Sequence, residues 1–165
     1  MMFDDQLLYD ADQILKLCKK FDIKLSTAES CTGGLIISCL TEISGSSDVI
    51  DRGFITYSNE AKIELLGVPN LLIALHGAVS EEVAIAMSEG ALSRSMSDIT
   101  IAVTGVAGPG GGTEDKPVGL VHFACSGRGR TTQSLKQIFP GSRSAIRDAT
   151  VQTAFTVIRK FLEDN

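Results

Sequence analysis

The 165-residue sequence has no cluster of lysine and arginine residues, and its formal net charge at pH 7 is -5. Its basic residues, such as Arg128, Arg130 and Lys136, are separated by small or polar ones. Proteins that bind nucleic acid normally carry a basic stripe that displaces counterions. We therefore expect no nucleic-acid partner, although one or two arginines are enough to bind the phosphate of a small ligand.

Metal-binding and disulfide patterns are also missing. The sequence has 4 cysteines and 2 histidines, and no two of the cysteines form a Cys-x-x-Cys pair. These residues are Cys18, Cys31, Cys39, Cys125, His76 and His122. Structural zinc sites and disulfide frameworks need more of these residues at characteristic spacings. We expect neither a bound metal nor a disulfide.

No apolar segment approaches the ~18 residues that a membrane-spanning helix needs. The first ten residues, MMFDDQLLYD, are acidic, whereas a signal peptide begins with positive charge. Both absences predict a cytoplasmic protein without a membrane partner. The apolar fraction is 44% and only 4 prolines are present, which is typical of globular proteins, and the length predicts a single domain over residues 1–165.

Helical and strand-like patterns alternate along the chain. Apolar spacing predicts helices over about 5–20, from 35 to near 45, after Asn59 as helix cap, from 80 to about 96, and from Ser142 onward. Strands are expected over about 23–27, 53–58 and 98–105, followed by a hairpin of 119–125 and 133–139. This order predicts an α/β fold: a three-layer α/β/α sandwich around a mixed, mostly parallel sheet of about five strands.

Two nucleophile types stand side by side in STAESCTGG, residues 26–34. A serine at a strand-to-helix turn is most often a helix N-cap, but a glycine-rich helix entrance also favours an anion or a developing oxyanion. Cys31 would share the helix dipole, which lowers a thiol pKa. Neighbouring residues entering a helix point about 100° apart, so only one of Ser30 and Cys31 can face a ligand. A lone cysteine is usually a small hydrophobic residue.

A serine nucleophile needs a base. His76 lies in a predicted loop and His122 in the middle of a predicted strand, so Lys62 is the better candidate. A decrease of its pKa from ~10.4 to ~7.5 requires about 4 kcal/mol, and burial and a positive helix end both act in that direction. Such a lysine alone is more often a solvated helix residue. Tyr57 either relays a proton, orients Lys62 or simply packs. Thr104 and Gly105 could donate to an oxyanion or to the substrate amide, unless Thr104 simply ends a buried strand.

Five segments together resemble the CinA C-terminal domain family, and the resemblance spans nearly the whole chain. They are TAESCTGG (27–34), GFITYSNEAKIELLGV (53–68), HGAVSEEVA (76–84), VTGVAGPGGGTEDKPVGLV (103–121) and GSRSAIR (141–147). The resemblance implies a nicotinamide-nucleotide amidase. Such an enzyme converts nicotinamide mononucleotide to nicotinate mononucleotide and ammonia in pyridine-nucleotide recycling, without a metal or other cofactor. Many relatives carry an additional N-terminal pyrophosphatase domain, whose activity we do not expect of this chain.

The resemblance also implies roles for individual residues. Ser30 corresponds to the nucleophile, Lys62 and Tyr57 to the family's lysine and tyrosine, and Thr104 to a threonine on the oxyanion side. The candidate substrate-binding residues are Glu29, Cys31, Thr32, Gly33, Gly34, Gly105, Gly108, Gly110, Gly111, Arg143 and Arg147.

The phosphate of the substrate would be held by glycine-rich backbone together with Arg143 or Arg147. Their spacing of four places both arginines on one helix face, although surface ion pairing is an equally common role for either. A homo-oligomer, most simply a dimer, is expected from the resemblance and from common protein symmetry. The alternatives are a non-catalytic nucleotide-binding module, a competence-linked regulatory module and an amidase that uses Cys31.

Overall fold

A five-stranded sheet forms the centre of the fold in the computed structural model, which describes residues 3–164. The ends of the predicted domain, residues 1–2 and 165, lie outside the described residues. The strands are β1 (Leu25–Glu29), β2 (Ile50–Ile55), β3 (Ile99–Gly105), β4 (Leu120–Gly127) and β5 (Gln133–Ile138). Their order is β2-β1-β3-β4-β5. Only β4 runs against the other four strands, which confirms a mixed, mostly parallel sheet.

Helices cover both faces of this sheet. They are α1 (Asp5–Lys20), α2 (Leu35–Thr41), α3 (Asn59–Leu66), α4 (Asn70–His76), α5 (Glu81–Ser93) and α6 (Arg143–Glu163). A short 3-10 helix spans Ser46–Asp48. Helices α1, α2 and α6 contact one another around an apolar core that includes Phe123 and Phe155. Helices α3, α4 and α5 pack around a second core that includes Leu66 and Met87. The predicted three-layer sandwich is therefore confirmed.

Strand β1 is buried along its whole length, including its polar residues. The strand lies between β2 and β3 and is covered by helices on both sides. Its polar side chains are compensated by hydrogen bonds, such as the 2.6 Å contact between Ser26 Oγ and Ser97 Oγ. Buried polar groups are tolerated when they are paired in this way.

Several predicted boundaries are wrong. Strand β2 ends at Ile55 rather than at residue 58, and α2 ends at Thr41 rather than near Gly45. Helix α3 is capped by Ser58, whose Oγ accepts from the Ala61 N–H, and not by Asn59. The sequence pattern also missed helix α4. Two of its leucines, Leu71 and Leu75, are exposed, so the helix lacks a polar outer face.

Within residues 3–164, none of the helices has both the length and the apolar character that crossing a bilayer would require.

Candidate active site

A cavity of about 310 Å³ opens beyond the carboxyl ends of β1, β2 and β3. It is lined by Ser30, Cys31, Tyr57, Asn59, Lys62, Ala78, Val79, Thr104, Gly105, Val106, Ala107, Gly108, Gly110, Gly111 and Arg143. All four predicted catalytic residues are among them. Loops at the carboxyl ends of strands are the usual place for a ligand in α/β folds.

The centre of the cavity contains a direct contact between Lys62 and Ser30. Lys62 Nζ lies 3.0 Å from Ser30 Oγ and donates to the Thr56 carbonyl at 2.8 Å. The Lys62 side chain is 1% exposed. This burial lowers the pKa of Lys62 from its usual value to about 8, with an opposing contribution from the nearby Cys31. An amine with such a pKa is partly neutral near physiological pH and can accept a proton from the serine.

Ser30 is free to act because it does not cap a helix. Helix α2 begins at Leu35, and its N-cap is Gly34 in the left-handed region with a φ of 100°. The Ser30 backbone N–H donates to the Val103 carbonyl at 3.1 Å, which fixes the residue to the end of β3. Its hydroxyl remains available for Lys62.

Cys31 has the properties of a buried thiol rather than of a nucleophile. Burial raises the pKa of Cys31 to about 12, so desolvation outweighs the lowering that a helix dipole would give.

The backbone at the same position has free donors. The N–H groups of Cys31 and Thr32 donate to no oxygen atom of residues 3–164. The Cys31 backbone lies next to Ser30 and offers a donor for an oxyanion.

The predicted anion site at the entrance of α2 needs correction. Glu29 is fully buried, and its carboxylate accepts from the backbone N–H groups of Gly34, Ile36 and Ile37 at 2.9–3.0 Å. The protein's own carboxylate therefore occupies the helix entrance. Neither Glu29 nor Thr32, Gly33 or Gly34 lines the cavity, so these four residues do not face a ligand there.

The two candidate phosphate ligands are separated by the structure. Arg143 lines the cavity, donating from Nη1 to the Gly108 carbonyl at 2.8 Å and from Nη2 to the Tyr57 hydroxyl at 2.9 Å. Arg147 does not line the cavity and donates to the carbonyls of Cys31 and Thr32 at 3.2 and 2.8 Å. Only Arg143 is in a position to meet a ligand in the cavity.

Tyr57 and Thr104 line the cavity, but the hydrogen bonds of Lys62 Nζ go to Ser30 and Thr56 instead. The Tyr57 side chain is 62% exposed and its hydroxyl accepts from Arg143. The Thr104 hydroxyl donates to the Ala78 carbonyl at 2.8 Å, so its proton is not available to an oxyanion. The Thr104 oxygen retains lone pairs that can accept from an amide N–H group.

Sequence reasoning missed five residues that line the cavity: Asn59, Ala78, Val79, Val106 and Ala107. Asn59 was interpreted as a helix cap, a role that Ser58 fills. Ala78 and Val79 follow the unpredicted helix α4, and their signal was their place in the segment HGAVSEEVA. Within the part of the chain that the structure describes, no group of three or more histidine, cysteine, aspartate or glutamate residues could hold a metal ion.

Comparison with known proteins shows similarity over nearly the whole chain. Residues 9–162 match a family model described as the CinA C-terminal domain. The chain is 41% identical over 164 residues to the Escherichia coli K12 protein named nicotinamide-nucleotide amidohydrolase PncC, covering 99% of each chain. It is 48% identical over 161 residues to a putative competence-damage inducible protein of Caldicellulosiruptor bescii, covering 98% of this chain but 38% of that longer protein.

A solved structure has the same fold. The competence/damage inducible protein CihA from Agrobacterium tumefaciens superimposes with a TM-score of 0.95 at 45% sequence identity, covering 98% of each chain.

The buried Lys62 predicts a pH-dependent cost to stability. Because its folded-state pKa of about 8 is below the usual 10.5, folding must remove a proton or bury a charge at every pH below about 10.5. The resulting decrease in the free energy of unfolding reaches its full value, on the order of 3 kcal/mol, below about pH 8. Lys62→Met removes this cost but also removes the two hydrogen bonds of Lys62. The net effect should be a free energy of unfolding at pH 7 that is higher by about 1–3 kcal/mol.

The measurement is urea unfolding at pH 7, 9 and 10.5, where the gain should shrink as the pH rises. Lys20→Met, which changes an exposed lysine of α1, is the control and should alter stability by less than about 0.5 kcal/mol throughout. A loss of stability at pH 7 in Lys62→Met would contradict the prediction.

Proposed function

The chain belongs to the CinA C-terminal domain family, and from this premise we propose that it hydrolyses the carboxamide of nicotinamide mononucleotide. The products are nicotinate mononucleotide and ammonia, as in a step of pyridine-nucleotide recycling. The observation that carries this proposal is the 3.0 Å contact between Lys62 Nζ and Ser30 Oγ inside the cavity. The full-length similarity to a protein named nicotinamide-nucleotide amidohydrolase supports the substrate.

The first half of the proposed reaction forms an acyl-enzyme. Neutral Lys62 accepts the Ser30 proton while Oγ attacks the carboxamide carbon. The backbone N–H group of Cys31, which lines the cavity, stabilises the resulting oxyanion, and the Thr104 oxygen accepts from the N–H of the substrate amide. Protonated Lys62 then donates its proton to that nitrogen. The C–N bond breaks, ammonia leaves, and an ester to Ser30 remains.

The second half restores the enzyme with the same base. Lys62 removes a proton from a water molecule as the water oxygen attacks the ester carbon. The bond to Ser30 Oγ breaks, Lys62 returns its proton to that oxygen, and nicotinate mononucleotide leaves. No cofactor enters either half.

The substrate phosphate binds at the other side of the cavity in this proposal. Arg143 offers a planar guanidinium that matches a phosphate, and the exposed backbone of Gly110 and Gly111 lies beside it in the cavity lining. Tyr57 orients Arg143 through their 2.9 Å hydrogen bond and does not relay a proton to Lys62.

Two alternatives are less well supported. The pKa of about 12 that burial gives Cys31 argues against a cysteine amidase. A module that only binds nucleotides would not need a buried lysine against a serine, because that arrangement costs stability without improving binding.

We also place the reaction in the cytoplasm. The four cysteines, Cys18, Cys31, Cys39 and Cys125, are buried and free, which is consistent with a reducing compartment. A homodimer stays a prediction from the resemblance.

The nucleophile is tested with three variants and an ammonia assay on nicotinamide mononucleotide. Ser30→Ala and Lys62→Met should each lower kcat by about a thousandfold or more, since they remove the attacking atom and its base. Cys31→Ala should stay within about threefold of wild type, because its backbone N–H is retained. Activity that survives Ser30→Ala and disappears in Cys31→Ala would transfer the nucleophile to the thiol.

The base is tested by the pH dependence of the rate. Below about pH 8 Lys62 becomes protonated and loses the lone pair that accepts the serine proton. The value of kcat/KM should therefore fall about tenfold per pH unit on the acidic side of pH 8 and level off above it. A profile that is flat between pH 6 and 9 would rule out a neutral lysine base.

The phosphate site is tested with two substrates that differ only in that group. Arg143→Ala should raise KM for nicotinamide mononucleotide by about 10- to 100-fold, because a charge-assisted hydrogen bond contributes about 1.5–3 kcal/mol. The same variant should change KM for nicotinamide riboside, which has no phosphate, by less than about threefold. Equal losses on both substrates would show that Arg143 does not bind the phosphate.

A further inference from the structure

We infer that Glu29 is a positioning residue, whose carboxylate holds the turn of residues 30–34 in the shape that presents Ser30 and the Cys31 N–H to the cavity. This inference rests on the proposed function and deepens it. Glu29 does not line the cavity, so it acts through the residues that follow it rather than on the substrate.

The carboxylate of Glu29 is saturated with hydrogen bonds from the protein. Oε1 accepts from Thr27 Oγ1 at 3.1 Å and from the Ile37 N–H at 2.9 Å. Oε2 accepts from Thr32 Oγ1 at 2.7 Å and from the N–H groups of Gly34 and Ile36 at 3.0 Å each. A carboxylate offers about four lone-pair sites, so these five donors leave no capacity for a ligand.

The negative charge of Glu29 is compensated without a basic side chain. Within residues 3–164, no lysine, arginine or histidine forms an ion pair with it. The compensation comes from two hydroxyl groups and from the N–H groups at the start of α2, where the helix dipole favours an anion. The charge and the helix start therefore stabilise each other across the turn that carries Ser30.

The turn is fixed at both ends by this arrangement. At its beginning, the Ser30 N–H bonds to the Val103 carbonyl, and the Glu29 carbonyl accepts from the Thr56 N–H at 2.9 Å. At its end, the Glu29 side chain holds Thr32 and Gly34. The Thr56 carbonyl in turn accepts from Lys62. Glu29 thus connects the nucleophile turn to the segment that orients the base, and a misplacement of about 1 Å at such a site can lower a rate about 100-fold.

A glutamine cannot replace this carboxylate. Whichever way its amide is turned, the NH₂ group meets at least one backbone N–H donor, either that of Ile37 at Oε1 or those of Gly34 and Ile36 at Oε2. The variant Glu29→Gln keeps the volume and loses the acceptor. Two variants of Thr32 test the same hydrogen-bond network with a smaller perturbation. Thr32→Val removes the 2.7 Å hydrogen bond to Glu29 Oε2 at nearly constant volume, whereas Thr32→Ser retains a hydroxyl.

The test is a comparison of kcat, KM and the pH profile among folded variants. Glu29→Gln should lower kcat by about 10- to 100-fold, leave KM within about threefold, and leave the acidic limb near pH 8 in place. Thr32→Val should show the same pattern with a smaller decrease, and Thr32→Ser should stay near wild type. The control is Glu64→Gln, the same chemical change at an exposed position of α3, which should leave all three quantities unchanged.

Three results would overturn the inference. One is a wild-type kcat per folded molecule in both Glu29→Gln and Thr32→Val. Another is a loss that appears only in KM. The third is a displacement of the acidic limb, which would mean that the carboxylate acts on the charge of Lys62. If Glu29→Gln does not fold, the comparison of Thr32→Val with Thr32→Ser decides the outcome.

A measurement without substrate distinguishes this inference from the proposed function. In ¹H–¹⁵N NMR spectra, the amide signals of residues 30–37 should move in Glu29→Gln and Thr32→Val and stay in place in Glu64→Gln. A wild-type protein that releases no ammonia from nicotinamide mononucleotide would refute the proposed function, whereas unmoved amide signals would refute the positioning role of Glu29.

Discussion

Lys62 can be neutral and accept a hydrogen bond from Ser30, as the proposed mechanism requires, only if the lysine is kept away from water. A solvated lysine remains protonated at neutral pH and has no lone pair to offer to a serine. The surrounding fold provides this condition. Helix α3 starts at the Ser58 cap and packs through Leu66 into the core shared with α5, so that Lys62 is buried within one turn of the helix start.

The cavity is assembled from segments that are far apart in the chain. Ser30 follows β1 and Lys62 lies on α3 beyond β2. Thr104 is next to last in β3, and Arg143 begins α6. The parallel arrangement of β1, β2 and β3 brings the first three segments to one edge of the sheet. The site thus depends on sheet order, and the sheet can change little without separating Ser30 from Lys62.

The sequence predicted this fold and the lining residues better than it predicted their orientation. Buried strands and helix starts are local patterns, and each contributed a candidate such as Ser30, Lys62 or Thr104. Glu29 shows the limit. It precedes Ser30 directly, and its position cannot reveal that its side chain turns back to cap α2.

The two arginines of α6 show the same limit. Arg143 and Arg147 are equivalent by helical spacing, and only tertiary packing places one in the cavity and the other against the carbonyls of Cys31 and Thr32. Strand order, which decides what lies beside Ser30, is also a non-local property and has no signal in a single segment.

The burial of Cys31 has a consequence for how the protein meets oxidants and electrophiles. Its sulfur lies next to Ser30 yet is 6% exposed and remains a protonated thiol at neutral pH. Peroxide and alkylating reagents attack thiolates that solvent can reach. Cys31 is thus shielded from such damage, and the proposed serine chemistry would continue under conditions that inactivate a cysteine-dependent hydrolase.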